Sequence, residues 1–172
     1  MNSKTLVKAL AAVFAIAGAG FGADTFAAGT ATSAFAVSAE VVSACTLSSS
    51  ALTFSSAINV MSATPVDANS TLTATCTNLS GYTIGLNAGT STGATVAARK
   101  MTHTNGTTLL AYGLSAVSSV GANWEDTGGA GLATGTGDGA AQSITVYGRV
   151  PGSQTTAIVG AYSDTITATI TF

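Results

Sequence analysis

Very few residues of this 172-residue chain have the types and spacing that catalysis needs. Residues 89–93, Gly-Thr-Ser-Thr-Gly, match the G-x-S-x-G pattern of a hydrolase nucleophile. That chemistry requires a strand, a strained turn and a helix, followed in order by an acid and a histidine. His103 is the only histidine, no acidic residue separates it from Ser91, and no helical pattern follows. We therefore interpret residues 89–93 as a turn and predict that the chain is not an enzyme.

The remaining carboxylates do not form a recognisable pair either. Glu125 and Asp126 are adjacent, so on a strand they would point to opposite faces. No predicted element places two carboxylates at the separation that glycoside hydrolysis uses. The sequence offers no other base or nucleophile for a catalytic group.

Residues 1–27 have the pattern of a secretory signal peptide. Lys4 and Lys8 precede an apolar run over residues 9–21, and small residues follow. The run is shorter than the roughly 20 residues that a membrane-spanning helix needs. We predict cleavage after Ala27 and export of the remaining chain, which is long enough for one domain with a real core.

The composition is poor in charge. Charged residues make up 7% of the chain and the formal net charge is −2, whereas soluble domains usually contain about 25% charged residues. A weakly acidic chain lacks the positive surface that nucleic acids require, so no nucleic-acid partner is predicted. It also has little charge repulsion to keep its copies apart, which suits an assembled extracellular protein.

Two cysteines, Cys45 and Cys76, remain after export. An even pair in an oxidising compartment predicts one disulfide. Closing a loop of this length stabilises a fold by roughly 3–4 kcal/mol in the chain-entropy treatment. Two thiols and the distant His103 do not make a metal-ligand set, so neither a metal nor another cofactor is predicted.

Alternation of apolar and polar residues predicts an all-β domain. The N-terminal strand has an apolar residue at every second position: Phe35, Val37, Ala39 and Val41. The C-terminal strand has the same pattern: Ile166, Ala168, Ile170 and Phe172. The predicted strands are 32–42, 44–48, 51–55, 70–77, 81–87, 99–103, 108–116, 142–150 and 163–172. Their number and spacing favour an antiparallel sandwich or barrel.

Residues 117–141 are rich in glycine and show hardly any alternation, so we predict a long surface loop. Trp124 lies within it. A single tryptophan can be a binding anchor, but tryptophan is on average highly buried. We therefore expect Trp124 to hold the loop against the core.

The residues that remain after export resemble the spore coat protein U domain family, which includes subunits of archaic, Csu-type chaperone–usher pili. The resemblance covers nearly the whole exported chain, and its most specific part is Gly160–Thr165 leading into the terminal strand. The other matching blocks are the strand before Cys45, Leu52–Phe54, Leu72–Cys76, Tyr82–Gly89, Arg99–Met101, Leu109–Leu114 and Tyr147–Pro151. The chain departs from the family at Ser55 and Glu125, where glycine is common.

The resemblance implies an incomplete immunoglobulin-like sandwich that lacks one strand, so that core side chains line an open groove. In such proteins a periplasmic chaperone fills the groove first. At the outer-membrane usher, the N-terminal strand of the next subunit replaces the chaperone by donor-strand complementation. The implied donor residues are Phe35, Val37, Ala39 and Val41. Residues Ile166, Ala168, Ile170 and Phe172 would belong to the core or groove wall, where the chaperone would contact the subunit.

The sequence thus predicts three parts: a signal peptide (1–27), a donor strand (28–42) and a pilin β-sandwich (43–172). The expected function is a structural subunit of a surface pilus, a polymer of identical or homologous subunits that supports adhesion and biofilm formation. Residues 32–42 could instead pair within their own subunit. A coat or matrix protein of the same fold, and a monomeric secreted module that binds glycans through Trp124, are the alternative functions.

Overall fold

The computed structural model describes residues 28–54, 57–129 and 131–172. The predicted signal peptide, residues 1–27, and Ser55 lie outside the described residues. Nine strands form within the described ranges, and residues 40–172 form one compact unit that contains all of them. The strands are β1 (Cys45–Ser49), β2 (Val66–Cys76), β3 (Gly81–Leu86), β4 (Arg99–His103), β5 (Leu109–Ser115), β6 (Ala133–Thr136), β7 (Ala141–Val150), β8 (Tyr162–Ser163) and β9 (Ala168–Thr171).

The strands form two antiparallel sheets. The larger sheet has the order β1-β2-β7-β5-β4-β8, and the smaller has the order β6-β3-β9. The longest ladder joins β2 to β7, from Val66 opposite Val150 to Thr75 opposite Ala141. This architecture confirms the all-β sandwich predicted from the alternation of residues and the immunoglobulin-like fold that the resemblance implies. No helix among the described residues is long and apolar enough to cross a membrane.

The core lies between the sheets and follows from the period-2 alternation of the strands. In β2 the side chains of Leu72, Ala74 and Cys76 are buried, while the threonines between them are half-buried. The other buried apolar residues come from β3, β5, β7 and one loop: Tyr82, Ile84, Leu86, Leu110, Tyr112, Leu114, Trp124, Val146 and Val150.

Trp124 holds the glycine-rich loop against this core. Its side chain is 0% exposed, and its indole Nε1 donates a hydrogen bond to the Ile84 carbonyl (2.7 Å). Its main-chain N–H donates to the Leu114 carbonyl (2.8 Å). The predicted anchoring role of Trp124 is therefore confirmed.

Arg99 is fully buried in β4, and its guanidinium binds four main-chain carbonyls. Nε donates to Asn87 O (2.8 Å), Nη1 to Val96 O (3.1 Å), and Nη2 to Leu86 O and Trp124 O (both 2.6 Å). Burial lowers the pKa of Arg99, but a guanidinium stays protonated in proteins because its intrinsic pKa is so high. The buried charge is tolerated because its donors are satisfied, and it ties β3, β4 and the Trp124 loop together.

Four predicted elements differ from the structure. Residues 32–42 form no strand, because no strand in the described chain pairs with them. Residues 51–54 form no strand, because the hydrogen bond from Ser50 N–H to the Thr71 carbonyl (2.9 Å) is the last one that joins this part of the chain to β2. The predicted strand 163–172 is divided between β8 and β9 by an unpaired stretch.

The fourth difference is β6, which forms inside the stretch predicted as loop, residues 117–141. It pairs with β3, where Gly135 lies opposite Tyr82. A Cβ at Gly135 would stand 2.4 Å from the tyrosine hydroxyl. Glycine has no strand signature, so β6 could not be recognised in the sequence. Gly135 is nevertheless needed there, because a larger residue would collide with Tyr82.

We expect Arg99→Met to lower the free energy of unfolding by about 3–5 kcal/mol, because four buried carbonyls lose a charged donor. Urea denaturation followed by the fluorescence of Trp124, the only tryptophan, measures this change. Lys100→Met is the matched control, since Lys100 Nζ donates one exposed hydrogen bond, to the Gly93 carbonyl at 3.1 Å, and it should change stability by less than about 1 kcal/mol. Equal losses in the two variants would contradict the role assigned to Arg99.

Candidate functional site

A large apolar groove lies open along the C-terminal part of the sandwich. Its cavity volume is about 1080 Å³. One side is formed by residues 49–54, 57, 58 and 60, and the other by residues 157–166 and 168. The floor consists of core side chains from both sheets: Leu72, Leu86, Leu110, Tyr112, Leu114 and Val146.

The wall that follows β1 is held by aromatic and aliphatic packing. Phe54 meets Tyr112 edge to face, with ring centroids 6.5 Å apart. Leu52 and Phe54 also lie over Gly148 of β7, where a Cβ would stand 2.8 Å from Leu52 Cδ1. Glycine at position 148 therefore allows the wall to approach the sheet closely.

The opposite wall leads into a strand with an unpaired edge. β9 pairs with β3 and with no other strand of the described chain. Ile166 and Ala168 line the groove. Residues 166, 168 and 170 are half-buried, whereas residues 167, 169 and 171 are exposed. An apolar floor beside a strand edge with free backbone groups has the character of a site for one additional strand.

A carboxylate fixes the start of this wall. Asp164 Oδ2 accepts a hydrogen bond from the Tyr112 hydroxyl (2.6 Å), and Oδ1 accepts from the N–H groups of Thr90 and Thr165 (both 2.8 Å). Burial, together with the hydrogen bond to Asp164, raises the pKa of Tyr112 far above its ordinary value. Tyr112 therefore remains a neutral donor that joins the groove floor to its wall.

The two cysteines form a disulfide at the N-terminal end of β1. Cys45 and Cys76 are directly opposite in the β1–β2 ladder. One ladder position earlier, Thr77 N–H donates to the Ala44 carbonyl (2.9 Å), and Ala44 N–H donates to Thr77 Oγ1 (3.1 Å). The start of β1 is thus fastened to β2 covalently and by hydrogen bonds.

The four residues implied as donor positions lie in a segment without secondary structure. Phe35, Val37 and Val41 are 86%, 83% and 82% exposed, and Ala39 is exposed as well. Three large apolar side chains at alternate positions are unusual on a surface, because water contact with apolar area is unfavourable. The segment has the composition of a half-buried strand but no strand partner among the described residues.

The four C-terminal residues have different environments. Ile166 and Ala168 line the groove, and Ile170 lies opposite Ile84 in the β3–β9 ladder and packs against the core. Phe172 follows β9 and is 53% exposed, so it lies at the margin of this surface.

Ser91 and His103, the residues considered for catalysis, form hydrogen bonds with groups that have no catalytic role. The hydroxyls of Ser91 and Thr102 share a hydrogen bond of 2.7 Å. His103 accepts the Asn105 N–H at Nδ1 (3.0 Å), and its Nε2 lies 3.2 Å from the Val159 carbonyl. The structure therefore does not bring Ser91 and His103 together. Within the described ranges, no group of three or more His, Cys, Asp or Glu residues is arranged to hold a metal ion.

Sequence analysis did not assign roles to Leu52, Phe54, Tyr112 and Asp164, although each belongs to the groove. All four lie in blocks that carry the family resemblance. The family motifs therefore marked these residues as noteworthy. Their roles could not be predicted, because they depend on contacts between residues that lie far apart in the sequence.

A sandwich whose apolar interior opens along its C-terminal strand belongs to the class of incomplete immunoglobulin-like domains. The model of the Spore Coat Protein U domain family matches residues 31–169, and the chain belongs to this family. The resemblance drawn from the sequence is thus confirmed.

The fold is similar to a solved structure described as the "CsuC-CsuE chaperone-tip adhesion subunit pre-assembly complex from archaic chaperone-usher Csu pili of Acinetobacter baumannii". The TM-score is 0.56 and the sequence identity is 20%, over 77% of this chain and 40% of that chain. The chain therefore spans well under half the length of the chain that it matches, and the likeness is one of fold. No curated protein matches the chain significantly in sequence.

The raised pKa of Tyr112 predicts an alkaline loss of stability. The folded state keeps the phenol protonated while the unfolded state ionises near its ordinary pKa of 10.0. The stabilisation is complete below pH 10 and falls above it, by about 1.4 kcal/mol for each pH unit. Urea titrations at pH 8 to 11 should give a shallower decline for Tyr112→Phe than for the wild type. Parallel declines would contradict this assignment, and Tyr147→Phe, which removes a half-buried phenol of β7, serves as the control.

Proposed function

We propose that the chain is an exported, non-enzymatic structural subunit of a surface pilus, and that subunits join by inserting residues 28–42 into the groove of a neighbour. The proposed organisation is a cleaved signal peptide (1–27), a donor strand (28–42) and a groove-bearing sandwich (43–172). The polymer would be a homopolymer or contain homologous subunits. Adhesion and biofilm formation would follow from the fibre at the cell surface.

One observation carries this proposal: the same chain contains an open apolar groove and an exposed apolar strand sequence. The groove holds about 1080 Å³ beside the free edge of β9. Phe35, Val37 and Val41 are each more than four-fifths exposed. A site that lacks one strand and a segment that lacks a partner are complementary surfaces.

The energetics favour long-lived assembly. Burying three large apolar side chains contributes about 1.5–3 kcal/mol each, and each new backbone hydrogen bond contributes about 1 kcal/mol. Losses of translational and rotational freedom offset part of this gain. The balance supports a fibre without covalent links between subunits.

The open groove also supports the two proposed assembly partners. The apolar wall residues Leu52, Phe54 and Ile166 are only half-buried. Exposed apolar area promotes aggregation, so temporary cover would protect a subunit before assembly. A periplasmic chaperone would supply that cover, and an outer-membrane usher would exchange it for the next subunit. The solved neighbour, which is a complex of a chaperone with a pilus subunit, supports the chaperone as a partner.

A coat or matrix protein is the second candidate, favoured by the name of the family. Genes for a chaperone and an usher beside the gene for this chain would favour the pilus. The glycan-binding alternative depended on an accessible indole, whereas Trp124 is fully buried.

We expect Val37→Asp to abolish polymerisation, because it places an unpaired carboxylate in an apolar groove at a cost of several kcal/mol. Unboiled gel electrophoresis of the exported chain should show a detergent-resistant ladder for the wild type and none for this variant. Ser38→Asp adds the same charge to the opposite face of the strand and should preserve the ladder.

Two results would contradict the proposal. One is a wild-type chain that stays a stable, soluble monomer without a chaperone. The other is an equal loss of the ladder in the Val37 and Ser38 variants, which would indicate a general effect of charge.

A further inference from the structure

Leu79 is a large apolar residue in a backbone conformation that favours glycine. It lies in the turn between β2 and β3, its φ is 64°, and its side chain is 82% exposed. Bulky side chains are rarely found at positive φ. The turn is nevertheless well fixed, because Leu79 N–H donates to the Gly137 carbonyl (2.8 Å) and Ser80 N–H donates to the Thr77 carbonyl (3.0 Å). Neither burial nor backbone preference favours leucine here, which points to a role of the exposed side chain itself.

A second exposed apolar surface lies at one end of the groove. Val159 is 99% exposed, and Ile158 and Met61 are 46% and 71% exposed. Ile158 and Val159 line one wall of the groove, and Met61 follows Val60, which lines the other. The backbone at Ile158 is fixed, since the Tyr162 hydroxyl accepts from its N–H (2.9 Å) and donates to its carbonyl (3.0 Å). We call Met61, Ile158 and Val159 the rim.

Leu79 and the rim lie at opposite ends of the sandwich. Leu79 follows the C-terminal end of β2, three residues after Cys76 of the disulfide. The Val159 carbonyl lies 3.2 Å from Nε2 of His103, at the end of β4 that the β4–β5–β7 ladders place beyond the start of β2. β2 itself spans about 33 Å, at about 3.3 Å per residue. Two different surfaces at opposite ends of one chain can form a head-to-tail contact, which propagates into a filament.

A strand inserted from another subunit leaves the groove at the rim. Within the described chain, the groove lining includes Ser49 but no other residue of β1, and Ala168 but no other residue of β9. Both strands continue from these residues toward the disulfide end of the sandwich, and they contact each other. That end of the groove is therefore closed. The chain that links an inserted strand to its own domain passes the rim at the other end.

This link brings Leu79 of the donating subunit to the rim of the receiving subunit. In the proposed function Val41 lies in the groove of the receiving subunit. Two residues later, the hydroxyl of Ser43 is hydrogen-bonded to that of Ser80, the neighbour of Leu79. An extended chain covers at most about 7 Å between Val41 and Ser43. Leu79 therefore lies at the junction between the two domains.

We propose that Leu79 of each subunit packs against the rim of the subunit that holds its N-terminal strand. The inference rests on the proposed function and adds to it a contact between the folded domains. The contact buries apolar side chains that are otherwise exposed. It also orients each domain relative to the next, which the inserted strand and its short link do not fix by themselves.

Cross-linking in assembled fibres tests this contact. Two variants each carry two new cysteines, Leu79→Cys with Val159→Cys and Leu79→Cys with Met61→Cys, and a short bis-maleimide joins thiols that lie close together. Boiling in detergent removes the non-covalent ladder, so only joined neighbours remain. At least one variant should give about tenfold more boiling-resistant polymer than Leu79→Cys with Val120→Cys, because only contacting surfaces have a high effective concentration. Val120 is 73% exposed and follows the end of β5 that is remote from the rim.

Leu79→Gly separates the contact from folding. Glycine adopts positive φ freely, so this variant should unfold at no lower urea concentration than the wild type when each is bound to a synthetic peptide of residues 28–42. Its fibres should lose subunits about tenfold faster in warm detergent, because every junction loses the burial of one leucine side chain. Val120→Ala removes an exposed apolar side chain elsewhere and should leave the rate of loss unchanged.

The outcomes separate this inference from the proposed function. If the wild type gives a ladder in unboiled gels but neither cysteine pair exceeds the Val120 control, the contact is wrong and the proposed function stands. The contact is also wrong if fibres of Leu79→Gly lose subunits at the wild-type rate. If the wild type forms no ladder, the proposed function fails and the contact fails with it.

Discussion

The whole structure depends on one constraint: the strands of this sandwich leave a groove open above part of their core. Leu72, Leu86, Leu110 and Val146 are buried core residues that also form the floor of this groove of about 1080 Å³, whereas wall residues such as Phe54 are only partly buried. Hydrophobic burial is the main favourable term in folding, so the partly buried walls contribute less stability to the isolated domain than they would if they were covered. A binding partner that fills the groove contributes directly to folding stability.

The rest of the molecule compensates by fastening the boundaries of the groove. Arg99 satisfies four carbonyls behind the floor, and Asp164 joins Tyr112 to the C-terminal wall. The Cys45–Cys76 disulfide fixes the start of β1. Among the described residues, no buried side-chain polar atom lacks a hydrogen-bond partner. Polar networks that are fully satisfied rigidify a core, which favours a groove of one defined shape.

Local patterning predicted an antiparallel all-β sandwich or barrel, the family resemblance implied the immunoglobulin-like sandwich, and tertiary context accounts for the errors. β2 and β7 were recognisable because Leu72, Ala74 and Cys76, or Ile144 and Val146, alternate with polar residues. β6 was missed because glycine, required against Tyr82, has no strand signature. Residues 32–42 have a clear strand pattern but form no strand, since a strand also needs a hydrogen-bonded partner and no strand of the described residues pairs with them. The candidate site was foreseeable only through the family resemblance, because contacts such as Tyr112–Asp164 join residues far apart in sequence.

Residues 32–42, which have a strand pattern but form no strand, support the proposed function. A period-2 apolar pattern shows that a segment suits a half-buried position, but it does not identify the sheet that will receive it. Phe35, Val37 and Val41 satisfy the pattern and remain exposed, while the edge of β9 remains unpaired. Under the proposed function, the segment of one subunit fills the groove of another, so that folding and assembly would be coupled through the same apolar contacts.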